Sequence, residues 1–288
     1  MQIEFENYLT SKKLSNNSIK SYISDLKQYM KYYEDSYGEK LVKLNDCDVQ
    51  MYISYLKNRE ERKAATINRA LTSLKAYNQF LIEKGLQDSC VISDRDYIKV
   101  QANFSRNDIP EEKQILQLLH SASKNPRDYC ILVLASYGGF RESEIVGFKI
   151  SHIHLKERFI EVFGKGNKYR TVVINDIMYK ALEKYLEQRL KLNISSTYLF
   201  VGKKSNFYGD KPLNRNLVNR ILDNYCTKLN FENFHPHLLR GFFCTNAYYK
   251  AGYTLIQVSS QAGHSSIDMT RRYIDSRQNN LYELSNKM

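Results

Sequence analysis

The chain is expected to fold as a mainly α protein: an N-terminal four-helix bundle, then a mixed α+β domain with a small antiparallel sheet. Three observations lead there. Over residues 1–85 the apolar side chains recur at intervals of three and four, the spacing of one helix face. Beyond residue 106, two short runs rich in β-branched and aromatic residues flank a glycine-containing turn. Between these regions, residues 86–106 show little periodicity and read as a linker, with Gly85 as a helix stop before it and Pro110 just after it. The 288 residues, 42% hydrophobic and 26% charged, suffice for two domains with separate cores.

In chain order, Ile3, Phe5 and Leu9 begin the first helix, and Ile19, Tyr22, Ile23, Leu26, Tyr29, Met30 and Tyr33 the second. Val49, Tyr52, Ile53 and Leu56 mark the third, and Ile67, Leu71, Leu74, Tyr77 and Leu81 the fourth. In the second region Glu111 to Lys124 and Arg127 to Tyr137 are helical by period. Phe159–Val162 and Arg170–Ile174 read as strands joined through Gly164–Lys165–Gly166–Asn167–Lys168. Ile177 to Leu192, Asn214 to Leu229, Pro236 to Lys250 and Leu255 to Ala262 fit further helices.

Charge narrows the function. The 43 Lys and Arg against 31 Asp and Glu leave a net charge of +12, which points to a polyanion, with nucleic acid ahead of an anionic membrane. The excess is uneven, about +2 over residues 1–105 and +10 over residues 106–288. Met1 to Thr10 carries Glu4 and Glu6 where a secretory signal would carry Lys or Arg. The longest apolar run, Ile131 to Ala135, is far short of the roughly 18 residues of a membrane span. Cys47, Cys90, Cys130, Cys226 and Cys244 are scattered singly, without zinc-site or disulfide spacing. A reduced, cytoplasmic protein without metal or cofactor is expected.

Several local groupings call for explanation. Arg141 follows Gly138–Gly139 and lies at i, i+3 from Glu144, the spacing of a helical ion pair. His237 and Arg240 share one face near a helix start, where N–H groups and two cationic side chains can share an anion. Gly263–His264 and Arg271–Arg272–Tyr273 add a second histidine, further charge and a phenol. Taken singly, each has an ordinary explanation: an ion pair, a solvated turn lysine at 165, a capping histidine at 264, one packing tyrosine among 23.

Assembled in order, Arg141, Lys165, His237, Arg240, His264 and Tyr273 resemble the active-site signature of the tyrosine recombinase, or phage integrase, family. Tyr137 to Ile145 is similar to its Gly-x-Arg-x-x-Glu-Leu/Ile box, Gly164–Lys165–Gly166 to its Gly-Lys-Gly turn, and Pro236 to Arg240 to its His-x-x-Arg box. Gly263–His264 with Tyr273 nine residues later completes it. The resemblance spans nearly the whole chain and is nearest the Xer group and transposon-encoded cointegrate resolvases, with no counterpart of the arm-binding domain of lambda-type integrases. Gly241 stands where His is frequent, Phe140 replaces a usual Leu, and Ala262 precedes Gly263 where Leu is usual. No reacting group is lost.

The resemblance implies a core-binding, SAM-like DNA-binding domain over residues 1–85, a linker over 86–106, and a catalytic domain over 107–288, the two domains gripping opposite sides of DNA. It implies a homotetramer on double-stranded recombination sites, working through a 3′-phosphotyrosyl link and a Holliday junction. A phosphodiester repels a nucleophile and gathers charge on its oxygens during attack, so two guanidiniums, Arg141 and Arg240, are natural stabilisers. Tyr273 is then the nucleophile, His237 the base, His264 a hydrogen-bond donor to the phosphate, Lys165 the acid for the leaving 5′-oxygen, and Glu144 the group that orients Arg141 or a neighbouring histidine. Resolution of transposon cointegrates leads. Xer-type dimer resolution and mobile-element integration or excision follow, and a non-catalytic DNA-binding relative or a type IB topoisomerase comes behind them. The target site and accessory proteins are not readable.

Leu281 and Leu284 in the tail from Asp275 to Met288 stand at helical spacing, and the family docks such a segment on a neighbouring protomer. Deleting residues 278–288 is expected to leave DNA binding intact and impair tetramer activity; recombination at the full-length rate would refute the docking.

Overall fold

The computed structural model describes residues 1–100, 109–163, 169–204 and 207–275. The chain divides into two compact units, Met1–Ala102 and Asn103–Met288. The hairpin residue Lys165 and the tail beyond Asp275 lie outside the described residues.

The first unit contains helices α1 (Gln2–Ser11), α2 (Asn16–Tyr37), α3 (Asp46–Asn58) and α4 (Ala64–Glu83). Their starts follow local chemistry. The Ser15 hydroxyl accepts from the Ser18 N–H at the head of α2, and the Asn45 side chain accepts from the Cys47 N–H at the head of α3. Gly38, at φ +71°, ends α2 in the left-handed region that glycine enters without steric cost. Phe5, Leu26, Tyr29, Val49, Tyr52, Leu71, Leu74 and Tyr77 meet in one core, and these are the positions picked out by the three-four spacing.

The stretch read as linker is, in its described part, laid along this same unit. Ile92 is buried in the core, and the Gln87 amide bonds both the N–H and the carbonyl of Leu44. The Asn68 amide does the same for Ile98, at 2.9 and 2.8 Å, while Asn78 accepts from Val91 and donates to Ser89. Side-chain amides take the place of a neighbouring strand or helix turn here, so the segment is ordered without a period that a sequence reading detects.

Helices α2 and α4 are also joined by charge. Asp25, 1% exposed, accepts from Arg69 Nε at 3.1 Å, Arg69 Nη2 at 2.7 Å and the Ser73 hydroxyl at 2.8 Å.

The second unit runs α5 (Glu112–Ala122), α6 (Pro126–Tyr137), α7 (Glu142–Gly147), β1 (Ile153–His154), β2 (Phe159–Phe163), β3 (Tyr169–Val173) and α8 (Asp176–Lys191). It continues with β4 (Val201–Lys204), β5 (Phe207–Pro212), α9 (Arg215–Leu229), α10 (Pro236–Tyr249), α11 (Leu255–Ala262) and α12 (Ile267–Asp275). Helix α6 is the axis of the core: Cys130 to Ala135 are all buried, with α8 and α10 packed against it. A helix enclosed on all sides needs apolar residues all round, which is why this stretch reads as a continuous run. Strands β1, β2 and β3 form an antiparallel sheet in that order, with Ile160 opposite Val172 and both buried. Among the described residues no helix is long and apolar enough to cross a membrane.

Four elements escape the periodic reading. Strand β1 is two residues long, and the β4–β5 ladder is rich in glycine and charge with a register irregularity between Val201 and Lys203. Helix α12 is polar along most of its length and buries Thr270, Tyr273 and Ile274.

Arg69→Ala should destabilise the protein by about 1–3 kcal/mol, because it leaves the Asp25 carboxylate buried with the Ser73 hydroxyl as its remaining donor among the described residues. The double variant Asp25→Ala/Arg69→Ala should lose less, since no charge is stranded; urea unfolding of both measures the order.

Candidate active site

The site is assembled in the second unit from four places far apart in sequence. The first is the turn into α7. Gly139 sits at φ +63°, and a Cβ there would lie 2.3 Å from the Phe243 ring, so the turn requires glycine twice over. Arg141 caps α7: its backbone N–H and its Nη1 both donate to the Glu144 carboxylate at 2.9 Å, and its Nη2 donates to the Gly263 carbonyl at 2.7 Å. The i, i+3 pair expected from the sequence is formed. It is one part of a larger arrangement.

The other part is Arg170 on β3, which sequence reasoning did not single out. Its Nη1 and Nη2 grip the two oxygens of Glu144 in a fork, each at 2.9 Å, and its Nε donates to the Gln261 carbonyl at 3.0 Å. A faint signal existed: Arg170 is in phase with core-facing Val172, so a long charged side chain is committed to the inner face of the strand. Burial pushes the Glu144 carboxyl up, but the hydrogen bond and charge of Arg170, with those of Arg141, outweigh it and hold the group below its usual range. Gly263 closes the arrangement. It ends α11 at φ +67°, and a Cβ there would stand 2.6 Å from Arg170 Nη1.

Arg240 lies one turn inside α10, whose start is fixed by Pro236 at its first position. The side chain is 2% exposed; Nη1 donates to the Gly139 carbonyl at 2.7 Å, and Nη2 is buried with no hydrogen-bond partner among the described residues. Burial, and then the neighbouring Arg141, lower its pKa to about 10, so it stays charged at neutral pH. His237, on the same helix, lines a cleft with Arg141, Ser143, Arg215, Pro236 and Arg240. Burial holds its imidazole below the ordinary histidine range, which leaves it neutral and able to take a proton.

His264 follows Gly263 directly. Its Nδ1 lies 2.7 Å from the Thr270 hydroxyl, and its Nε2 is buried with no partner among the described residues. Burial and the charges of Arg240 and Arg141 push its pKa down to about 3. The ring stacks on that of Tyr273, centroids 5.9 Å apart and planes 16° apart. Tyr273, on α12, is 9% exposed, and burial raises the pKa of its phenol. Its ring packs on the backbone of Gly241: a Cβ at 241 would be 3.1 Å from Tyr273 Cδ1. Gly241 therefore gives the tyrosine its seat.

Arg141, Glu144, His237, Arg240, His264 and Tyr273 thus converge, whereas Lys165 lies outside the described residues. Residues 108–280 match the phage integrase family, and residues 3–85 match the phage integrase N-terminal SAM-like domain. The chain belongs to the phage integrase family. Members of this family are tyrosine recombinases, site-specific DNA recombinases that act by a tyrosine nucleophile. The TnP I resolvase of Bacillus thuringiensis is 37% identical over 290 residues, covering 99% of this chain and 97% of that one. The tyrosine recombinase XerD of Halalkalibacterium halodurans is 32% identical over 267 residues, covering 90% and 87%. The fold is that of the XerH site-specific recombinase solved on its difH substrate in a pre-cleavage complex, with a TM-score of 0.70, 18% identity, and coverage of 95% and 81%.

The histidines of this recombinase give its stability a pH dependence of known sign. Unfolded, the His264 imidazole binds a proton near pH 6.5; folded, only near 3. Between those values the unfolded state carries more protons, so stability is complete above about pH 6.5 and falls as pH drops toward 3. Urea midpoints between pH 7 and pH 4.5 are expected to fall less steeply for His264→Gln than for the unsubstituted protein; parallel curves would refute the buried neutral imidazole.

Proposed function

We propose that this recombinase cleaves duplex DNA by in-line attack of the Tyr273 oxygen on a phosphate held by Arg141 and Arg240. The observation that carries the reading is Arg240. A guanidinium 2% exposed, with one nitrogen buried and without a partner among the described residues, beside a second arginine, is costly as it stands and is satisfied by an anion with several acceptor oxygens. His264 supports the same reading, since a neutral imidazole whose buried Nε2 has no partner among the described residues is suited to donate one further hydrogen bond to that anion.

The chemistry balances with protein groups. The phenol oxygen forms a bond to phosphorus as the bond to the 5′-oxygen breaks; the phenol proton passes to neutral His237, and the leaving oxygen takes a proton from Lys165. The result is a 3′-phosphotyrosyl link that conserves the energy of the phosphodiester. Attack by the 5′-hydroxyl of a partner duplex reverses the steps and completes strand exchange through a Holliday junction, in a tetramer that joins two sites. Glu144 orients Arg141. The biological reaction we assign is resolution of transposon cointegrates, supported by the 37% identity to a resolvase across the whole chain. The similarity to XerD makes resolution of replicon dimers the second reading. On either reading the protein acts on DNA in the cytoplasm, with residues 1–85 proposed as a core-binding domain and the catalytic groups in residues 107–288.

The test is covalent trapping. Duplexes selected by the protein from a randomised library, nicked so that the cleaved fragment diffuses away, should accumulate a protein–DNA adduct that Tyr273→Phe does not form. Arg141→Ala and Arg240→Ala should each lower the cleavage rate by about 10²–10³-fold, the usual effect of removing one donor to a developing oxyanion. An adduct formed by Tyr273→Phe would overturn the assignment of the nucleophile.

A further inference from the structure

The arrangement around Glu144 contains one more cation than the phosphate reading uses. Glu144 has a side chain 6% exposed and accepts from Arg141 N, Arg141 Nη1, Arg170 Nη1 and Arg170 Nη2. Arg141 gives that carboxylate a single guanidinium hydrogen and gives a second hydrogen to the Gly263 carbonyl. Of the five hydrogens on a guanidinium, three are then unused among the described residues, and the side chain, 32% exposed, is accessible to a phosphate.

The distribution is unusual for two groups so placed. A carboxylate and a guanidinium in a poorly solvated site favour the fork with two parallel hydrogen bonds, which would use two hydrogens of Arg141 and turn its face to Glu144. Here the fork is occupied by Arg170, which is itself held by the Gln261 carbonyl and lies over Gly263, where a Cβ would not fit. We propose that Arg170 is a positioning residue: by taking both oxygens of Glu144 it keeps that carboxylate from capturing Arg141, so that Arg141 presents its remaining hydrogens to the scissile phosphate. The inference rests on the reading of Arg141 as a phosphate clamp.

The contacts of Arg170 also connect the parts of the site. Its backbone belongs to β3, beside the turn that carries Lys165 in sequence; its fork holds the residue that orients Arg141; its Nε holds the last turn of α11, which leads through Gly263 to His264. Lysine keeps the charge but cannot reproduce the fork or the third bond. The position requires arginine rather than a cation in general.

The experiment measures single-turnover adduct formation on nicked duplexes carrying the site selected by the unsubstituted protein, together with equilibrium binding to the same duplex unnicked, at a temperature where urea titration shows every variant folded. Arg170→Met and Arg170→Lys should bind within about threefold of the parent yet cleave about 10²-fold more slowly, the scale of an ångström of misplacement at a reacting centre. Glu144→Gln/Arg170→Met should cleave at least tenfold faster than Arg170→Met, because a neutral amide no longer draws Arg141 away; a scaffold role for Arg170 gives no such recovery. A crystal structure of Arg170→Met should show Arg141 forked onto Glu144. Cleavage by Arg170→Met or Arg170→Lys at the parental rate, or loss of rate matched by loss of binding, overturns the positioning role alone. Absence of an adduct in the parent overturns the reading of Arg141 beneath it.

Discussion

A carboxylate with almost no access to water must find donors inside the protein, and Glu144 finds four N–H groups on two arginines. This one shared group ties the cap of α7 to strand β3 and, through the other bonds of Arg141 and Arg170, to the carbonyls of Gly263 and Gln261 at the end of α11. Remove it and two guanidiniums would face each other near a third, Arg240, with nothing between them. The site can concentrate positive charge only because one negative charge is buried at its base. That charge also determines how many donors are left for a substrate.

Positive charge in this protein consequently serves in two ways. Most of the +12 lies on solvated lysines and arginines, chiefly beyond residue 106, and attracts a polyanion with a strength that falls as salt rises. Arg240 is withdrawn from water, Arg141 is partly exposed, and backbone carbonyls at Gly139 and Gly263 hold the two guanidiniums. Folding has already met the cost of desolvating Arg240, and on the proposed reading both guanidiniums are set in place before charge develops on a phosphate. The histidines complement this. Surrounded by arginines, His264 is neutral across the physiological range, and a neutral ring can stack on Tyr273 and donate one hydrogen bond without adding to the repulsion.

The amphipathic helices were legible because each buries one face, and burial on one face leaves a period in the sequence. Leu71, Leu74 and Tyr77 illustrate it, as does the fully apolar run in α6. Helix α12 was not read as a helix because it is short and its buried face, Thr270, Tyr273 and Ile274 at i, i+3 and i+4, includes a threonine, which leaves little apolar trace in the sequence. The segment after Gly85 was read as linker for a related reason. Its order comes from the Gln87, Asn68 and Asn78 amides pairing with backbone, and such pairing leaves no periodic trace. Arg170 was overlooked because a single arginine in a short strand looks like any edge residue until its partners are known.

By itself the sequence determined the helical first region, the mixed second region and the family, and it singled out a polyanion as the expected partner and Arg141, Glu144, His237, Arg240, His264 and Tyr273 as candidate site residues. Those follow from local periodicity, net charge and ordered motifs, all of which are written along the chain. Only the tertiary structure decided that Arg170 shares Glu144 with Arg141, that Gly241 seats the Tyr273 ring, and that Arg240 and His264 each keep a buried nitrogen without a partner among the described residues. The reason is physical. Whether a charged or polar atom is satisfied depends on groups that approach it from distant parts of the chain, and desolvation, which gives such an atom its energetic weight, exists only once those parts have packed.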